Sequence, residues 1–166
     1  VEAAGVRARV GHVAVTVGTD DAEARADGEE SIRIARRFDG AADGRVRTAL
    51  MPHSLTTVSE PLLREAAAAA RDDGIPVHFH ANETEDEVDP IVAERSTRPL
   101  AYADDVGALT SEDFLAHAIH VDDSEIDRLA ETGAGVVHCP ASNMKLASGI
   151  APVQALLDAG VTVGLG

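Results

Sequence analysis

Residues 76–84 read PVHFHANET, an apolar run that carries His78 and His80 and is followed by Glu83 three positions after the second histidine. Side chains alternate along a strand, so His78 and His80 share one face. Polar groups of this kind recur at the ends of other apolar runs, and that recurrence decides the architecture. Strands are expected at 11–17, 46–53, 76–82, 114–120, 135–140 and 161–166, with helical patterns between them. His53, His80, Glu83, one of His117 and His120, and His138 then fall at the C-terminal ends of different strands. Strand–helix alternation implies a parallel sheet covered on both faces. An open sheet would string these groups along an edge, whereas a barrel gathers them at the mouth where barrel active sites lie.

The expected fold class is therefore α/β, a partial TIM (β/α)8 barrel. A complete barrel takes about 200–250 residues, and six strands fill this chain of 166. Residues 1–166 are expected to form one barrel fragment, with roughly two βα units outside it.

The helical segments carry their own punctuation. In SEPLLREAAAAARDDG, Ser59 can cap, Leu62, Leu63, Ala66 and Ala70 face inward, and Gly74 stops the helix. In DDSEIDRLAETG, Asp122 and Glu125 read as a capping box with Ile126 and Leu129 inward and Gly133 terminal. In APVQALLDAG, Pro152 sits in the first turn and Gly160 past the end. Pro90 is expected to interrupt any single helix across 84–110.

Apolar residues make up 45% of the chain but aromatics only 2%, with no tryptophan. The core must be built from Val, Leu, Ile and Ala. The net charge is -15, from 29 acidic against 14 basic residues, and Lys145 is the single lysine. Such a surface repels phosphate backbones, which argues against nucleic acid or an anionic membrane as partner, and it suits a cytosol of high salt. No run of about twenty apolar residues offers a membrane span. The opening VEAAGVRARV lacks a methionine and a basic end leading into an apolar stretch, so no signal peptide is expected. One cysteine, Cys139, fits a reducing, cytoplasmic setting.

Among the candidates, His80 with Glu83 is the sharpest pair. A strand-end histidine can hold a divalent metal, and a carboxylate three residues later can move protons. A buried histidine beside a solvated acid fits the same spacing. His78 either completes a two-histidine clamp with His80 or packs and supports it. His117 and His120 lie on opposite sides of a strand, so at most one faces the mouth. His53, in MPHS, either meets a ligand or caps a turn. His138 and Cys139 are adjacent and face opposite ways, which makes Cys139 a packing residue, and His12 is the weakest candidate. There is no phosphate-binding glycine loop, Gly-x-Ser-x-Gly or Cys-x-x-Cys.

The blocks VHFHANETEDEV, FLAHAIHVDDSEI, HCPASNMKLASGIAPVQALLDAG and VTVGLG occur in this order, with MPHSLTTVS before them. Together they resemble the metal-dependent amidohydrolase superfamily, and within it the 5-methylthioadenosine/S-adenosylhomocysteine deaminases and their chlorohydrolase-like relatives. SNMKLASGIAP is the most specific of these blocks. The resemblance implies a barrel of which this chain holds about strands three to eight, with one divalent metal, usually zinc.

By the same resemblance His80, on the fifth strand, is a metal ligand and Glu83 the proton shuttle that also contacts substrate. His117 orients the attacking water, and His53 contacts the nucleoside. A His-x-His after the first strand and an aspartate just beyond Gly166 would complete the ligands. The implied reaction is deamination of a 5′-modified adenosine, a small-molecule purine nucleoside, to the inosine analogue and ammonia, by a chain compatible with a homo-oligomer. The alternatives are a guanine or cytosine deaminase, a triazine chlorohydrolase, or a non-catalytic barrel subunit.

Overall fold

The computed structural model describes residues 2–166. After a turn of 3-10 helix at Glu2–Ala4 come β1 (Ala8–Val10), β2 (Val13–Ala14), α1 (Asp21–Phe38), the short α2 (Ala41–Gly44), β3 (Val46–Thr48), β4 (Met51–Pro52) and α3 (Glu60–Asp73). The chain continues through β5 (His78–Ala81), α4 (Glu85–Arg95), α5 (Pro99–Asp105), β6 (Phe114–His117), α6 (Asp123–Thr132), β7 (Gly135–His138), α7 (Pro140–Leu146), α8 (Val153–Asp158) and β8 (Val163–Leu165).

Every strand pair is parallel: β1 with β3, β2 with β4, and β5 to β8 in sequence order. Bridges from Leu50 to Val77 and from Ser54 to His80 join the first strands to β5. The first two expected strands are thus each broken into two pieces. At the break the two segments run close together: a Cβ on Gly11 would lie 2.5 Å from the Ala49 carbonyl oxygen. The Ala49 amide still reaches the Val10 carbonyl at 3.1 Å. The first strand also begins earlier than expected and ends at Ala14, and the 114–120 strand stops at His117.

The helices pack outside the strands. Leu50, Leu63, Phe79, Leu100, Leu115 and Leu129 are fully buried between them. In α3 the expected inward residues are all buried and Gly74 closes the helix in a left-handed conformation, but Ser59 makes no side-chain hydrogen bond at the cap. The Asp122–Glu125 capping box of α6 is present in full. Gly28 lets α1 approach α3, since a Cβ there would lie 2.4 Å from Leu62 Cδ1.

Pro90 does not interrupt its helix. It lies inside α4, which runs on to a left-handed Ser96. The carbonyl that loses its partner belongs to Asp86, whose residue is exposed, so water can satisfy it, while buried Val88 and Ile91 anchor the helix.

At the opposite end of β5 from His80, buried Asp113 accepts from the Val77 amide at 2.7 Å, from Arg71 Nη2 at 2.6 Å and from the Thr110 amide at 2.8 Å. These bonds fix where β5 starts, and hence its register. That register sets His80 opposite Ala116 and Ala81 opposite His117.

Candidate active site

The end of β5 delivers His80 and the loop that follows delivers Glu83. His80 Nδ1 lies 2.7 Å from the His53 carbonyl oxygen. A carbonyl only accepts, so Nδ1 carries the hydrogen and Nε2 keeps its lone pair. Glu83 is held mainly through its backbone, whose amide donates to Glu87 Oε2 at 2.9 Å. Its carboxylate has only long contacts: Ser148 Oγ at 3.4 Å and His117 Nε2 at 3.5 Å. No contact shorter than 3.4 Å holds that carboxylate.

His117 closes β6 and is buried. Its φ is +79° and that of Ala118 is +48°. The Ala118 amide reaches back to the Ala116 carbonyl at 3.3 Å and across to Ala81 at 3.1 Å. Two successive non-glycine residues in the left-handed region are uncommon and strained. The turn ends the strand and carries the His117 ring alongside His80, with centroids 5.4 Å apart. Its Nδ1 lies 2.8 Å from Asn143 Oδ1 on α7.

The other histidines separate clearly. His53 follows β4, its ring 4.7 Å from that of His80 and its Nδ1 2.8 Å from Thr57 Oγ1. His78 stacks on Phe114 at 4.4 Å and donates from Nδ1 to the Phe114 carbonyl at 3.0 Å. It packs rather than pairing with His80, whose ring centre is 6.3 Å away. His120 donates from Nε2 to the Ser148 carbonyl at 2.9 Å, so it ties down a loop and leaves the mouth to His117. His138 has a buried, unpartnered Nδ1, and Cys139 Sγ contacts the Val137 carbonyl at 3.4 Å. His12 pairs with Asp27 at 2.6 Å.

Burial lowers the pKa of His53, helped by the nearby His80, and burial likewise lowers that of His78. Both rings therefore favour the neutral form around His80. Burial raises the pKa of Glu87, against the pull of the Glu83 amide it accepts from.

Supporting this group is a buried network. Asn82, with φ +54°, donates from Nδ2 to Glu125 Oε2 at 3.0 Å and to the His120 carbonyl at 3.2 Å. Glu125, 1% exposed, also accepts from Arg98 Nη2 at 2.6 Å and from the Leu100 amide at 2.9 Å. Asn82, Glu87, Glu125, Asn143 and Ser148 were not among the sequence candidates. The sequence offered two signals: the capping-box reading of Glu125, which pointed to a helix end rather than to the loop of His80, and the resemblance of the blocks that contain these residues, which gave them no role.

Among the described residues no group of three or more His, Cys, Asp or Glu side chains could hold a metal ion. His80 fits one position of such a site, because its outward nitrogen is bare and its inward nitrogen is fixed by a carbonyl, as metal-ligating histidines usually are. A separate cavity of about 400 Å³ is lined by Thr16, Thr19, Arg25, Ser59, Leu62 and Glu65, without any of these histidines. No helix among the described residues is long and apolar enough to cross a membrane.

The amidohydrolase family model matches residues 1–166. A 5-methylthioadenosine/S-adenosylhomocysteine deaminase of Natronomonas pharaonis is 68% identical over 166 residues, which are 100% of this chain and 38% of that protein. A 5′-deoxyadenosine deaminase of Methanothermobacter thermautotrophicus is 45% identical over 166 residues, covering 100% of this chain and 39% of its own length. The crystal structure of an adenosine deaminase from Xanthomonas campestris with bound zinc superposes with a TM-score of 0.83 at 36% identity, over 98% of this chain and 37% of that one. The chain thus spans well under half the length of the relatives it matches.

Proposed function

The chain belongs to the amidohydrolase family, and from that premise we propose that the protein containing it hydrolytically deaminates a 5′-modified adenosine. The substrates named for the relatives, 5-methylthioadenosine, S-adenosylhomocysteine and 5′-deoxyadenosine, define the class. The products are the inosine analogue and ammonia. The observation that carries this reading is His80: its Nδ1 is committed to the His53 carbonyl, its Nε2 is bare, and His117 and Glu83 stand beside it.

In this reading His80 Nε2 holds a divalent cation, zinc as in the Xanthomonas relative, and the other ligands come from parts of the protein outside this chain. The six strand positions here correspond to strands three to eight of the barrel. A bound cation lowers the pKa of water toward about 7. With a cation held there, Glu83 would pass one proton from the attacking water to the ring nitrogen, and then the hydroxyl proton left at C6 to the departing amine, so that C6 becomes a carbonyl as ammonia leaves. The loosely held carboxylate suits a group that must serve two positions. His117 orients the water, and His53, whose ring borders that of His80, contacts the nucleoside. The acidic surface and single cysteine fit a cytoplasmic enzyme acting on a small neutral molecule.

The test is a single-turnover assay of the full-length protein with Glu83→Gln. A fall of about 10²–10⁴-fold in the chemical step is expected for loss of general acid–base catalysis. A near-normal rate would remove Glu83 from the mechanism.

A further inference from the structure

We propose that Asn143 is a positioning residue whose amide oxygen keeps the neutral His117 ring protonated on Nδ1, leaving Nε2 bare and directed toward Glu83. This gives a physical task to SNMKLASGIAP, the block of sequence with the most specific resemblance. The tautomer itself is independent of the deaminase reading; the use made of Nε2 rests on it.

The contact is short and sheltered. His117 Nδ1 and Asn143 Oδ1 are 2.8 Å apart, with His117 4% and Asn143 2% exposed. Water therefore has little access to compete for either atom. With the oxygen facing the ring, a hydrogen on Nδ1 makes a good bond, whereas a bare Nδ1 would set two lone pairs against each other in a buried place.

Both partners are held by their backbones. The Asn143 amide donates to the Cys139 carbonyl at 2.9 Å, and its own carbonyl accepts from the Ser148 amide at 2.9 Å. His117 is fixed by the left-handed turn at residues 117 and 118 and by the face of the His80 ring. The reverse amide would donate from Nδ2 to Nδ1 and force the hydrogen onto Nε2, turning a hydrogen-bond acceptor beside Glu83 into a donor. Nδ2 of Asn143 is buried without a protein partner, and Nε2 of His117 meets only the long 3.5 Å contact to Glu83, so what selects the tautomer is the short 2.8 Å contact at Nδ1.

For the reaction, a bare Nε2 can accept a hydrogen from the attacking water and so orient its lone pair. An N–H at the same place would present the water with a donor and turn it.

The experiment is solid-state ¹⁵N NMR of the full-length protein with ring-labelled histidine, stripped of metal and with the ring neutral, His117 being assigned through His117→Gln. The expected spectrum shows Nδ1 protonated and Nε2 bare in the native protein and in Asn143→Asp, which keeps an acceptor. Asn143→Leu, which removes it, should shift the ring toward the Nε2–H tautomer. Its kcat should fall about 10- to 100-fold with KM little changed, the usual cost of losing a partner behind a functional histidine.

A native Nε2–H ring, a tautomer unmoved by Asn143→Leu, or an altered tautomer with unaltered kcat would each overturn the proposal. Should Asn143→Leu fail to fold, the native and Asn143→Asp spectra still decide. Because the spectrum needs neither metal nor substrate, failure of the deaminase reading alone would leave the tautomer result intact.

Discussion

Between Ala8 and Pro52 the parallel ladder comes in two-stranded pieces, β1 on β3 and β2 on β4, parted where Gly11 meets Ala49. From His78 to Leu165 it is one four-stranded sheet. The charged groups differ in the same way. In the first region they form ion pairs at or near the surface, such as Arg36 with Asp73 of the following helix α3 at 2.7 Å and Arg47 with Asp39 at 2.9 Å. In the second, Asp113 and Glu125 are buried and multiply bonded, and Asn82, His117 and Asn143 are buried near the site. An exposed pair exchanges one hydrated state for another and matters little, whereas a buried polar group must find every partner inside the protein. Precision in the second region follows from that demand, and His80, Glu83 and His117 are hung on it.

The strongest way to break this contrast is Glu125→Ala. It leaves Arg98, the Leu100 amide and Asn82 Nδ2 without their shared acceptor. Removing one partner of a buried charged pair costs about 3–5 kcal/mol, to be read by denaturant unfolding of the full-length protein. A loss within the range of a surface substitution would show that burial does not set the second region apart.

A smaller effect, dependent on pH, is expected at Glu87. Burial raises its folded pKa above the ordinary carboxylate value. Between those two values the folded state holds a proton that the unfolded chain has released, so this group's contribution falls as pH rises and stays lost above the folded pKa. Glu87→Gln, which can still accept from the Glu83 amide, should therefore gain in Tm relative to the native protein as pH goes from acid to neutral. The opposite trend would mean that the Glu87 carboxylate is stabilised rather than penalised where it lies. The smallest effect belongs to the first region: Arg36→Gln should cost less than about 1 kcal/mol, and a larger loss in the same unfolding assay would blur the comparison from its other side.

How far the sequence could be read follows the same division. Apolar runs located all six strand positions, and the capping box and the glycine stops of α3 and α6 are where the pattern puts them. The breaks at Gly11 and Ala49 were hidden, because they lie where segments far apart in the chain come close together. Pro90 misled because its cost depends on whether the freed carbonyl can reach water.

At the site, the strand ends gathered His53, His80 and His117. The choice between His117 and His120 needed the turn at residues 117 and 118, which reverses simple alternation. Asn82, Asn143 and Glu125 look like loop and helix-cap residues in the sequence, and only burial shows that they hold the site.

His78 and His80 share a strand and a face, but the structure gives them different work: one packs on Phe114, the other offers a bare nitrogen. The most direct measurement is the bound-metal content and deaminase activity of the full-length protein with His80→Gln and, separately, with His78→Gln. We expect His80→Gln to lose the metal and the activity together, and His78→Gln to keep near-native metal content. Metal retained without His80, or lost without His78, would contradict the assignment of the site to the end of β5.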